Sequence, residues 1–353
     1  MRRILSLLLA LACPTQPVGA APPRLAIIDN DWSVAGGAMS VMPLLANPDI
    51  KVLGLTAVIG DSYVPDSIAH TLRFLEIIHR GDIPVIAGAN TPLIRTKTEF
   101  DAWQRQYGSL PYTGAWTDPK PGEPAIGPDD LSPMKEGPTL LKAAPGIAAE
   151  YLIEQTKAHP GEIEILAAGP LTNVALAVRL DAGFAARVKT LVIMGGLVDT
   201  NQQQITDNAN FNTDFNFMID PEAADIVLSA GFRKILIVGA VSNSAKLTQP
   251  MVDTVSQVKT PLTDYYARNA WVGLPLWDEL AAAIMADPTL ITRSTEAYMR
   301  VNLDHGVDYG RAHVWPESTR PRTGERKVTI VDAVNLDRFY RNFFGALQAP
   351  LPR

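Results

Sequence analysis

Short apolar runs alternate with longer amphipathic stretches along nearly the whole chain, and this alternation limits its folds more than any other feature. Residues 25–28, 52–58, 85–88, 163–167, 190–194 and 234–238 are almost unbroken apolar segments. A strand buried on both faces has no wet side, so its sequence loses the polar alternation of a half-exposed strand. The stretches between carry apolar residues at helical spacing, as at Ile68, Leu72, Leu75 and Ile78. Strands joined through helices pair in parallel, which predicts an α/β fold: a single open, mostly parallel sheet with helices on both faces. Helices are expected over 38–46, 67–79, 147–159, 171–180, 221–230, 276–286 and 337–347, with late strands over 296–301 and 327–331.

Two regions interrupt the rhythm. Met1-Arg2-Arg3, an apolar run over 4–12 and the small residues Val18-Gly19-Ala20-Ala21 have the order of a secretory signal peptide. The expected division is a leader over 1–21 and one domain over 22–353, placed in the periplasm or secreted. The apolar run is too short to cross a bilayer as a mature helix, so no membrane association is expected after cleavage. Cys13, the only cysteine, lies in the leader, which leaves oxygen or histidine as metal ligands in the mature chain. The second interruption, about 95–145, is rich in Pro and Gly and holds Trp103, Tyr107, Tyr112 and Trp116. It reads as an irregular insertion, either a lid or rim over a site or a solvated surface loop.

A formal net charge of −6 gives no reason to expect a nucleic-acid partner and favours a small-molecule ligand. In open parallel sheets ligands bind beyond the carboxyl ends of the strands. The residues there are Asp29-Asn30-Asp31, Gly60-Asp61, Ala168-Gly169 and Met194-Gly195-Gly196. Carboxylates at i and i+2 make a hard oxygen pocket suited to Ca2+ or Mg2+, although such a pair is also common in turns and caps.

Several segments, in this order, resemble the inosine-uridine preferring nucleoside hydrolase family. They are Ile27-Ile28-Asp29-Asn30-Asp31, Ala168-Gly169-Pro170-Leu171-Thr172-Asn173-Val174-Ala175, Val192-Ile193-Met194-Gly195-Gly196, Asp214-Phe215-Asn216 with Asp220-Pro221-Glu222-Ala223-Ala224, and Pro275-Leu276-Trp277-Asp278. The likeness runs from about Arg24 to the end and implies a Rossmann-like core. It also implies hydrolysis of a ribonucleoside N-glycosidic bond to ribose and free base, with Ca2+ orienting the water, and a homo-oligomer. On this resemblance Asp31 is the general base and a metal ligand, Asp29 its supporting carboxylate, and the Ala168 carbonyl and Asp278 further metal ligands. Asp214 and Asn216 match ribose-hydroxyl binders, Met194 lies beneath the sugar, and one of Asn208, Asn210 and Asn212 (Asn212 in the reading adopted) supplies another sugar contact.

The chain departs from the family at two places. The usual opening D-x-D-P-G-x-D-D-A becomes Asp29-Asn30-Asp31-Trp32-Ser33-Val34-Ala35-Gly36-Gly37-Ala38. Gly36-Gly37 replace two carboxylates, which removes negative charge around the implied cation and weakens its binding. Three readings follow: a metal held with more water, catalysis by Asp31 without metal, or a non-catalytic periplasmic nucleoside- or ribose-binding protein on the same scaffold. At the late helix Trp277 stands where many members have histidine. An indole N–H is no general acid near neutral pH, but it can stack on a base, as in purine-preferring members. That leans the substrate toward purines, with Asp61 as a base contact and Trp103 or Trp116 as the opposite ring; a core tryptophan is the alternative for Trp277.

Overall fold

The computed structural model describes residues 22–33, 36–198, 211 and 213–352; the expected leader lies outside them. Among the described residues nine strands form one sheet: β1 Arg24–Asn30, β2 Ile50–Ala57, β3 Val85–Ala87, β4 Ile163–Ala167, β5 Thr190–Met194, β6 Ile235–Val238, β7 Ile291–Val301, β8 Ala312–Trp315 and β9 Arg326–Val334. Their order is β3-β2-β1-β4-β5-β6-β9-β7-β8. The first seven in that order pair in parallel, whereas β7 runs antiparallel to both β9 and β8. The mostly parallel sheet expected from the apolar runs is therefore present, with an antiparallel edge.

Side chains alternate across a strand, and here the alternation feeds two separate cores. Ile28, Leu55, Leu166 and Val192 face one core, completed by the helices Trp277–Ala286 and Leu336–Gln348. Ile27, Ile165, Leu191 and Ile193 face the other, closed by the helices Ala148–Ala158, Thr172–Leu180 and Pro221–Ser229. Helices on both faces are what continuous apolar strands require.

Three expectations need correction. The single helix over 38–46 is two short ones, Gly36–Met39 and Met42–Leu45. Pro43 lies in the first turn of the second, where its missing N–H costs nothing; in a continuous helix it would remove a bond and clash with the preceding turn. The insertion is not wholly irregular, since Lys97–Tyr107 is helical. Thr96 caps it, with Glu99 returning a bond to the Thr96 backbone, and Phe100 and Trp103 give it a buried face. The short strand β8 was not expected; its residues after Ala312 are only half-buried and carry little strand signal.

Arg95 ties the insertion to the body. Its guanidinium lies 4.7 Å from the ring centroids of Phe100 and Trp103 and 4.6 Å from that of Tyr309. It also donates to the Met218 carbonyl at 2.6 Å, while Trp103 Nε1 donates to the Gly306 carbonyl at 2.8 Å. Cation–π contacts shielded from water are worth roughly 2 kcal/mol, and a charged hydrogen bond about as much. Arg95→Met keeps most of the bulk and loses both; it is expected to lower stability by about 3 kcal/mol, read as a shifted midpoint in urea unfolding.

Candidate active site

The carboxyl ends of the central strands open into a cavity of about 620 Å3. Asp31, Asp61, Ala168, Met194, Asp214, Asn216, Trp277 and Asp278 all line it. The structure thus brings together residues spread over 248 positions of sequence, as the Asn30 to Asp278 hydrogen bond illustrates. Asn212, Asn208 and Asn210 lie outside the described residues, as do Val34 and Ala35 before Gly36.

Asp31 sits just past β1 and is 5% exposed. Its backbone N–H donates to Asn30 Oδ1 at 2.9 Å, and its Oδ2 accepts from the Asp61 backbone N–H at 2.8 Å. Gly60 and Gly169 allow this close packing. A Cβ on Gly60 would fall 2.0 Å from Asp31 Oδ2, and one on Gly169 would fall 2.7 Å from the Asp31 nitrogen. Asp29 lies under the cavity floor rather than in its lining. Its Oδ1 accepts from Thr56 Oγ1 at 2.5 Å and Asn173 Nδ2 at 2.7 Å. Its Oδ2 is buried and has no hydrogen-bond partner among the described residues.

Asn30 is a site residue to which the sequence alone gives no role. Fully buried, it donates to Asp278 Oδ2 at 3.2 Å and to Ser40 Oγ at 3.3 Å while accepting from Asp31 N–H. It joins the end of β1 to the start of the Trp277–Ala286 helix. Its position between two aspartates, on the opposite side of the strand, was the available signal.

Asp214 and Asn216 spend much of their bonding capacity on the protein itself. Asp214 caps the helix Phe215–Ile219 by accepting from Phe217 N–H at 3.1 Å, and also accepts from Gly196 N–H at 2.6 Å. Asn216 Nδ2 donates to the carbonyls of Ala168 at 2.9 Å and Met194 at 3.0 Å. The Ala168 carbonyl keeps its second lone pair.

The aromatic wall differs from the one expected. Trp277 lines the cavity, with its indole N–H bound to Asn243 Oδ1 at 2.7 Å. Trp103 and Trp116 do not reach it: Trp103 lies on the buried face of the Lys97–Tyr107 helix, and Trp116, from the 3-10 turn Gly114–Trp116, packs against Phe100 of that face with ring centroids 5.3 Å apart. Tyr112 and Trp271 line the cavity instead, their ring centroids 6.2 Å apart, and Tyr112 Oη donates to Asp61 Oδ1 at 3.0 Å. Part of the insertion, Leu110-Pro111-Tyr112, therefore forms a rim. Both aromatics come from loops whose sequence has no period to give them an address. His305 stacks on Tyr309 and His313 on Trp315, and neither lines the cavity.

Burial pushes Asp29 up to about 6, Asp61 up to about 6 and Asp278 up to about 7; Asp61 adds to the rise at Asp278. Asp31 is held well above the carboxylate range by burial, then by Asp61 and Asp278. No lysine or arginine among the described residues offsets these shifts. All-oxygen donors, uncompensated negative charge and the orphaned Asp29 Oδ2 suit a hard cation in kind. No group of three or more acidic or histidine side chains among the described residues forms a metal-holding cluster. A cation here would therefore rest on Asp31, Asp278 and the Ala168 carbonyl, completed by water. Gly36 and Gly37 bring no carboxylate.

These shifts fix the sign of a pH effect. The folded chain keeps protons on these carboxyls where the unfolded chain has lost them, so their contribution to stability falls as pH rises from about 4 to about 7. Protons and a cation compete for the same oxygens. The rise in Tm on adding Ca2+ to chelator-treated protein is therefore expected to be small at pH 5 and largest near pH 8. A rise independent of pH, or none, would show that these carboxylates are not ligands.

The sequence profile described as inosine-uridine preferring nucleoside hydrolase matches residues 26–341. A relative from Schizosaccharomyces pombe, the uncharacterized protein C800.11, is 30% identical over 351 residues, covering 92% of this chain and 85% of its own. A probable uridine nucleosidase 2 from Arabidopsis thaliana is 32% identical, covering 69% of this chain and 67% of its own. Among solved structures, the plant nucleoside hydrolase PpNRh1 superposes with a TM-score of 0.73 at 26% identity, over 93% of this chain and 100% of that one. With the strand-end carboxylates gathered in one cavity and a profile match over most of its length, the chain belongs to the inosine-uridine preferring nucleoside hydrolase family.

Proposed function

We propose that this chain hydrolyses the N-glycosidic bond of ribonucleosides to ribose and free base, with a preference for purines. The observation that carries the reading is Asp31, buried in the cavity wall and hydrogen-bonded at Oδ2 to the Asp61 backbone. As a carboxylate Asp31 takes a proton from the attacking water, and Asn30 and Asp61 N–H keep it in place. Its anionic surroundings resist ionisation, and the same surroundings favour a divalent cation held by Asp31, Asp278 and the Ala168 carbonyl. Ca2+ bound there would acidify and orient the water. The negative charge of Asp31, Asp61 and Asp278 favours positive charge developing on the ribosyl ring. Asp214 and Asn216 retain acceptor capacity for ribose hydroxyls, and Met194 packs beside them.

Support for purines comes from the breadth of the aromatic wall: Tyr112, Trp271 and Trp277, the last fixed by Asn243. The Arabidopsis relative is named for uridine, so the test spans both base classes. Purified protein is incubated with inosine, adenosine, guanosine and uridine, with and without Ca2+, and reducing sugar is measured. Faster release from the purine nucleosides supports the reading, and faster release from uridine reverses the base preference. Gly36-Gly37 favour a second reading, a non-catalytic nucleoside- or ribose-binding protein. Measurable binding with no sugar release under any condition would establish that reading instead.

A further inference from the structure

Asn30 is fully buried and lines no part of the cavity, yet three segments of the site meet on its amide. Ile28 faces the core beneath the helix Trp277–Ala286, and Asn30, two residues on, shares its side of β1. Its Oδ1 accepts from the Asp31 backbone N–H at 2.9 Å. Its Nδ2 donates to Asp278 Oδ2 at 3.2 Å and to Ser40 Oγ at 3.3 Å. Asp278 lies in the first turn of Trp277–Ala286, and Ser40 directly follows the helix Gly36–Met39, where the glycine pair stands.

A side chain at this junction has to accept on one side and donate on the other, and a neutral amide does both. Ionised aspartate would turn an acceptor onto Asp278 Oδ2 and add charge to a cluster that already resists it. Leucine would fill the space and strip the Asp31 N–H and Asp278 Oδ2 of this partner, which is costly for buried groups. The bond also has a geometric effect. A carboxylate held at Oδ2 cannot turn freely, so its Oδ1 keeps one place relative to Asp31. Outer hydrogen bonds of this kind orient the groups that hold a metal. Gly36 and Gly37 bring no carboxylate, so more depends on the placement of Asp31 and Asp278.

We infer that Asn30 is a positioning residue acting through Asp278: its amide sets the Asp278 carboxylate against Asp31 so that the two hold a divalent cation in place for the reaction. This rests on the nucleosidase reading of the cavity and adds a residue that itself touches no substrate.

The test is a double-mutant cycle of Asn30→Ala with Asp278→Ala. It is run on Ca2+ affinity, by calorimetric titration of chelator-treated protein, and on kcat with inosine. Asn30→Ala alone is expected to weaken Ca2+ binding and to lower kcat, each by about 10–100-fold. In the Asp278→Ala background the same change should cost less than about 3-fold, because the group through which Asn30 acts is gone. Equal losses in both backgrounds would show a general packing role and overturn the inference. So would Ca2+ affinity and kcat within about 3-fold of wild type in Asn30→Ala. If Asn30→Ala does not fold, judged by circular dichroism, Asn30→Ser replaces it, with one polar atom for three partners; if neither folds, the residue is structural and the inference fails. Wild-type protein that binds Ca2+ but hydrolyses no nucleoside sinks the nucleosidase reading alone, and the calorimetric loss in Asn30→Ala still decides. Absence of Ca2+ binding in wild type overturns the inference, whatever the activity.

Discussion

Asp31→Asn is expected to lower kcat for ribonucleoside hydrolysis by about 1,000-fold, within the usual range for loss of a general base. Asparagine keeps the shape, and its Oδ1 can still accept from the Asp61 N–H that now meets Asp31 Oδ2 at 2.8 Å. The β1 end and Asn30 therefore stay in place, and what is lost is the site that takes the proton. One negative charge also leaves a cluster in which burial, Asp61 and Asp278 already oppose ionisation. The metal-free variant should consequently be no less stable than wild type above pH 7, where the charge is most costly. Steady-state kinetics with thermal melts at pH 5 and pH 8 check both parts. Loss of activity together with a collapsed Tm would indicate a structural role for Asp31, and activity within tenfold of wild type would remove it as the base.

Much of the site was legible because strand ends are legible. The apolar runs ending at Ile28, Ala167 and Met194 become β1, β4 and β5, and parallel pairing places their following residues on one edge. Asp29, opposite both Thr56 and Ala167 in the register, lies at the centre of that edge. Other parts left no such trace. The bond from Asn30 to Asp278 spans 248 positions of sequence, and no local pattern encodes that pairing. Tyr112 and Trp271 reach the cavity from loops, whose sequence has no period to show which way a ring points, whereas Trp103 is buried by the helix Lys97–Tyr107. That helix did have a signal in Thr96-Lys97-Thr98-Glu99, a capping box, and in Phe100, Trp103 and Tyr107 at helical spacing. The high Pro and Gly content of residues 95–145 masks it in the composition of that region.

Gly60→Ala is expected to impair catalysis by at least about 100-fold although residue 60 carries no chemistry, since misplacing a reacting group by about 1 Å costs that much. The added Cβ would lie 2.0 Å from Asp31 Oδ2, 2.5 Å from its Cβ and 2.6 Å from its Cγ. Asp31 is short and anchored at the end of a central strand, so no flexible tip can yield; either its carboxylate turns away or the Gly60 segment moves. The second course would pull at the Asp61 N–H bond and at the Gly60 carbonyl, which accepts from Ala115 N–H at 2.8 Å, and overpacking of this kind costs about 1–3 kcal/mol of stability. Gly345→Ala is the control. It lies inside the helix Leu336–Gln348 with nothing within 4 Å of its added Cβ, so it should leave kcat unchanged and add roughly 0.5–1 kcal/mol of stability. The double variant Asp31→Asn with Gly60→Ala separates the causes. If Gly60→Ala acts only by displacing the Asp31 carboxylate, the double variant should be no slower than Asp31→Asn alone, because groups that act as one unit do not lose activity additively. A multiplied loss would show that Gly60 serves the reaction by another route, and wild-type kcat in Gly60→Ala would show that Asp31 does not work from the position seen here.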